Sequence, residues 1–184
     1  MPIIVYKDCA DVQIPPHICD DCEDKEKGGI RSISLIKNGK EPLDPTDSAE
    51  WIDGIESGDI IVVPATRGNY DGGSPVTGPG YGDALETIIG YTHTLLAHDP
   101  AYAQNGEFWK TIRKARNFKV AWRTQTQVHI SEAVVSIAPI NAVEEDLTSV
   151  VDWQVTFTWQ GDLSIPYDAT ALKDDVFRCF KIEP

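Results

Sequence analysis

The side chains best suited to chemistry in this 184-residue chain are four cysteines. Cys19 and Cys22 form a Cys-x-x-Cys pair, Cys9 lies upstream, His17 stands beside the pair, and Cys179 is near the other end of the sequence. Three or four thiolates can enclose Zn(II) tetrahedrally, so Cys9, Cys19, Cys22 and Cys179 are candidate ligands of a structural zinc site. With Cys179 as fourth ligand, the metal would staple the N-terminal segment to the last strand. The competing reading is a set of incidental or partly oxidised cysteines, because a second Cys-x-x-Cys is missing. A thioredoxin-like redox centre requires a strand before the pair and a helix after it; here Pro15, Pro16 and the acidic residues Asp20, Asp21, Glu23 and Asp24 flank it instead.

Other chemistry finds little support. The glycines between Gly68 and Gly82 are not followed by Lys-Ser/Thr and do not give G-x-G-x-x-G between a strand and a helix, so they form no phosphate cradle. His93, His98 and His129 are scattered without a metal-binding spacing and read as surface or packed histidines. No G-x-S-x-G elbow presents a nucleophile. Glu144, Glu145 and Asp146 fall between two strands, as a solvated turn would. Trp153, Phe157 and Trp159 could stack on bases or sugars, but their period of two with Val151 and Val155 places them on a core face. The sequence therefore predicts no catalytic residues and no bound organic cofactor.

The elements that must position these groups are mostly strands. A chain of this length buries enough surface for one well-covered core, so a single domain is expected over 30–184, preceded by an irregular cysteine-bearing segment over 1–29. Ile30 to Ile36 alternates, and Ile60 to Val63 is a short apolar run between breakers; both read as strands. Glycines and prolines crowd the stretch 64–83 so densely that a long irregular loop is expected, one that is mobile or ordered by a partner. From Leu85 to Ala97 the β-branched and aromatic content favours a strand, since Gly90 would weaken a helix by about 1 kcal/mol. Asp99-Pro100 is a helix start, with the helix running to about Arg116 and an apolar face of Tyr102, Trp109 and Ile112. Strands follow at Phe118 to Arg123, Gln127 to Ala138, Val151 to Gln160 and Val176 to Ile182. This order predicts a mainly β (α+β) fold, an antiparallel β-sandwich or open barrel with one amphipathic helix.

Charge and hydropathy narrow the partners. With 16 Lys and Arg against 29 Asp and Glu, the net charge is −13, and such a surface on average repels phosphate backbones and anionic membranes. A sequence-reading nucleic-acid binder is disfavoured. No run of 18 apolar residues and no export signal are visible, so a soluble, intracellularly made protein without a membrane partner is expected. Alternating strands in an unclosed sheet leave edges that must be blunted or used for assembly.

Four features together carry a resemblance: the short first strand Gly28-Gly29-Ile30-Arg31-Ser32-Ile33; the long loop before the threonine-rich strand Thr87 to Leu95; one helix between strands, Pro100 to Arg116; and the aromatic strand Trp153 to Trp159 followed by Gln160-Gly161-Asp162. Over about Ile30 to Ile182 the chain resembles the tail tube (major tail) proteins of long-tailed bacteriophages and contractile injection systems, although the cysteine-bearing segment has no counterpart there. The resemblance implies a non-enzymatic virion subunit assembled in the bacterial host cytoplasm. It would form hexameric rings stacked into a tail tube, contact other tail proteins, and surround a lumen through which DNA passes without sequence-specific binding. A different virion component, such as a terminator, baseplate or decoration protein, and a carbohydrate-binding β-sandwich are the alternatives.

Overall fold

The computed structural model describes residues 28–80, 82, 85–141, 143, 151–172 and 176–177. Cys9, Cys19, Cys22 and Cys179, the expected zinc ligands, all lie outside the described residues, as does the acidic turn from Glu144 to Asp146.

Among the described residues, ten strands and two helices follow in chain order: β1 (Ser32–Lys37), α1 (Ser48–Glu56), β2 (Ile60–Val63), β3 (Arg67–Tyr70), β4 (Ser74–Gly78), β5 (Thr87–Asp99), α2 (Gly106–Ile112), β6 (Phe118–Arg123), β7 (Gln127–Ile130), β8 (Ser136–Ile140), β9 (Trp153–Gly161) and β10 (Tyr167–Asp168). All strand pairs are antiparallel and make two sheets. One is ordered β10-β7-β6-β1-β2; the other is ordered β3-β5-β9-β8, with β4 also paired to β5. The mainly β, two-sheet architecture is the one the alternation predicts.

The sheets face each other across one apolar core. Ile33 and Leu35 of β1, Val120 and Trp122 of β6, Leu95 and Ala97 of β5 and Val155, Phe157 and Trp159 of β9 meet there with Trp109 and Ile112 of α2. A second core covers the opposite face of the first sheet, where Ile36, Ile60, Ala121 and Val128 pack against Trp51 of α1 and against Leu172, Val176 and Phe177. Burial on both faces makes β1 a nearly continuous buried run rather than an alternating one.

Several expectations need correction. The stretch 64–83 is not one irregular loop: it holds β3 and β4, both lying along β5. Their glycines serve the turn between them, where Gly72 and Gly73 adopt φ of +78° and +90°, while Asp71 Oδ1 accepts the amides of Gly73 and Thr94. The helix expected from Pro100 to Arg116 is confined to Gly106–Ile112. The Asp99 carboxylate does not cap it; Asp99 accepts from the Ala101 amide, the Asn105 side chain and Trp109 Nε1, and so holds the turn before the helix.

Helix α1 goes beyond the single helix expected. Its signal is Asp47 three residues before Glu50, with Trp51, Ile52 and Ile55 at helical spacing. Asp47 caps by accepting the Ala49 amide at 2.9 Å, but Glu50 reaches the Asp44 amide, not that of Asp47. The run Gln127 to Ala138 divides into β7 and β8, which belong to different sheets. Of the strand expected over Val176 to Ile182, Val176 and Phe177 form a turn instead, their side chains drawn into the second core, and the remainder lies outside the described residues.

Candidate assembly surface

The longest strand organises the second sheet. Over its C-terminal part β5 alternates as a core strand should: His93, Leu95, Ala97 and Asp99 are buried, with partly exposed residues between them. Strand β9 accompanies it from Tyr91, opposite Gly161, to Asp99, opposite Trp153. Residues Thr87 to Gly90 extend past the end of β9 and pair only with β4, so among the described strands nothing hydrogen-bonds to their other edge.

This two-stranded extension is apolar and exposed. Ile88 is 56% exposed and Ile89 69%, with Leu85 and Val76 also open to solvent. The ladder shifts register between Val76 and Thr77, opposite Gly90 and Ile88, which leaves Ile89 as an extra residue on β5. Such a bulge bends the ribbon and strengthens its twist. A Cβ on Gly78 would come within 2.9 Å of Ile89 Cγ2, so glycine there lets the two strands approach at the bulge. Between the ribbon and the end of β9 opens a groove of about 550 Å³, with Val76, Ile88, Ile89 and Tyr91 on one side and Glu132 and Asp162 on the other. The Glu132 carboxylate accepts the Asp162 amide and ties the crossing from β7 to β8 against the end of β9.

The root of the ribbon is closely packed. Tyr70 Oη lies 2.7 Å from His93 Nδ1, and both rings stack on Trp159, which also meets Trp122. Burial pushes the Tyr70 phenol above its ordinary value, partly offset by a hydrogen bond with Ser164. Beneath the Gly72-Gly73 turn the packing is so close that a Cβ on Gly73 would fall 2.6 Å from the His93 ring.

The remaining candidates resolve simply. Phe157 and Trp159 are buried and Trp153 packs on the core with its Nε1 donating to Tyr102 O, so these aromatics are core residues and not a stacking platform. His93 is fully buried, His129 stacks on Trp122, and His98 pairs with Asp152. Among the described residues no helix is long and apolar enough to cross a membrane. One strand of the ribbon, β5, was expected from its sequence, but β4 escaped because the glycines and proline of its stretch read as loop. The signal was in Thr87 to Thr92, a β-rich run whose apolar residues Ile88 and Ile89 are adjacent instead of alternating, so one of them cannot face a core. No family model, characterised protein or solved structure matches the chain.

Proposed function

We propose that this protein is a structural subunit and not an enzyme, one that completes its β-structure through copies of itself in the manner of a phage tail tube. The observation that supports this most strongly is the ribbon: a strand edge from Thr87 to Gly90 without a described partner, bordered by exposed Ile88 and Ile89. Apolar, unprotected edges promote pairing with another chain, and natural proteins otherwise blunt them with charges, proline or short strands. Several of the other edges are short or carry proline: β10 has two residues, β2 has four, β8 carries Pro139 and β4 carries Pro75.

A contact between two different surfaces of identical copies closes into a ring or propagates as a filament, depending on the rotation between them. By the resemblance, closed rings would stack into a tube in the virion tail, with other tail proteins at its ends. The charge of −13 suits a conduit, since a negative wall does not retain a phosphate backbone passing along it.

Negative-stain microscopy of the purified protein tests the reading. Rings or tubes are expected, and replacing Ile88 and Ile89 together by serine abolishes them while the far-UV circular dichroism stays unchanged. A field of dispersed monomers at high protein concentration would overturn it. The serine replacements are preferable to removing 68–82, which would delete β3 and, with it, Tyr70 from the core.

A further inference from the structure

A second feature lies at the opposite end of β5 and is independent of the assembly reading. Arg67 on β3 stands directly across from His98 on β5. Two basic side chains at opposed positions ordinarily disfavour the pairing. Here one carboxylate joins them: Asp152 Oδ2 lies 3.2 Å from the Arg67 guanidinium and 3.0 Å from His98 Nδ1. Asp152 is 5% exposed, whereas most of the Arg67 side chain is open to solvent. The three residues border a cavity of about 220 Å³, completed by Ala65, Thr66 and Pro100.

Two local features set this cavity apart from an ordinary surface ion pair. Ala65 adopts φ of +57°, the one non-glycine residue in the left-handed region among the described residues, and strain of this kind gathers at functional sites. Thr66, which follows it, has its hydroxyl buried without a hydrogen-bond partner. The chain thus keeps an unfavourable backbone conformation and an unsatisfied hydroxyl in the turn that delivers Arg67 to the cavity.

We propose that this cavity binds a small oxyanion, a carboxylate or phosphate, between the Arg67 guanidinium and the His98 imidazole. The buried Asp152 carboxylate orients both: it uses one guanidinium nitrogen and accepts the Nδ1 proton, which leaves the other guanidinium donors and Nε2 for a ligand. Since Nδ1–H is committed to Asp152, Nε2 donates only in the imidazolium. Among the described residues, Arg67 and Asp152 are the only other charged residues bordering the cavity, because the neighbouring Asp99 carboxylate is directed to Trp109 and Asn105.

The test is a titration of the full chain with inorganic phosphate and, separately, with acetate, read from the His98 ring nitrogen resonances, which are assigned by their loss in His98→Gln. A saturable shift is expected with at least one probe, and which probe produces it assigns the anion class. Arg67→Gln, at an exposed position, keeps the fold and weakens binding by about tenfold or more, as expected for loss of a charge-assisted hydrogen bond. Absence of a saturable shift with both anions, or equal affinity in Arg67→Gln, would overturn the proposal.

Discussion

Between Tyr91 and Asp99, β5 has β9 along one edge and β4 or β3 along most of the other, and every second side chain enters the core. Between Thr87 and Gly90 the same strand has β4 alone among the described strands, and its apolar residues face solvent. The exposed part is the richer in β-branched residues, with Thr87, Ile88 and Ile89 against Thr92 and Thr94, so intrinsic preference does not explain which part is buried. What separates them is a second neighbour: with one, alternation becomes burial; without one, the strand is a two-stranded ribbon, which is marginal in water by itself. The ribbon persists because its root is fastened by Tyr70, His93 and Trp159 and its bulge is set at Ile89. The difference locates core burial in the second half of β5 and leaves the first half as the edge through which association is proposed.

The comparison can be broken most forcefully at the core. Phe157→Ala, at a fully buried position on β9, should cost about 3–5 kcal/mol in urea denaturation. The Ile88→Ser and Ile89→Ser pair should change the stability of the isolated monomer by no more than about 0.5 kcal/mol each. A loss of core magnitude from the ribbon pair would erase the distinction.

The packing at the root of the ribbon comes next. Gly73→Ala forces a left-handed φ on a side chain and drives its Cβ into the His93 ring, so a loss of about 1–3 kcal/mol is expected. Tyr70→Phe leaves His93 Nδ1 without its partner and should cost about 1–3 kcal/mol. Its pH dependence has a definite sign. A phenol whose folded value is raised contributes stability that is present below its unfolded value and lost as pH rises through the folded one. Tyr70→Phe should therefore flatten the alkaline limb of the stability curve.

The smallest effect is at the surface of the first sheet, far from the ribbon. Lys37 Nζ lies 2.8 Å from Asp59, and its hydrogen bond holds that carboxyl below the usual carboxylate value. A depressed carboxylate contributes stability above its unfolded value that is lost as pH falls through the folded one. Lys37→Met should make the acid limb less steep, with an effect that fades in high salt and leaves assembly unchanged.

Which parts of the molecule were readable from sequence follows from the same contrast. The strand Trp153 to Gly161 was legible because one of its faces is buried and the other is not, giving strict alternation of Val155, Phe157 and Trp159 with threonines and glutamine. Strand β1 was legible as a strand from its alternating side chains, although the structure buries both of its faces. Strands β3 and β4 were not, since what makes Arg67–Tyr70 and Ser74–Gly78 extended is pairing with β5 across sequence, against the local preference of their glycines and proline. Helix α2 was overextended because the Asp99-Pro100 signal for a helix start also suits a turn whose donors all converge on one buried carboxylate. The Arg67, His98 and Asp152 cluster was invisible because its members are distant in sequence and meet only through strand register.

The most direct measurement is hydrogen–deuterium exchange at the amides of residues 87–90, compared between dilute and concentrated protein. The account predicts rapid exchange in the dilute monomer and strong protection at high concentration, while residues 93–99 are protected in both. Equal exchange of 87–90 at the two concentrations would contradict the claim that a second copy completes this edge.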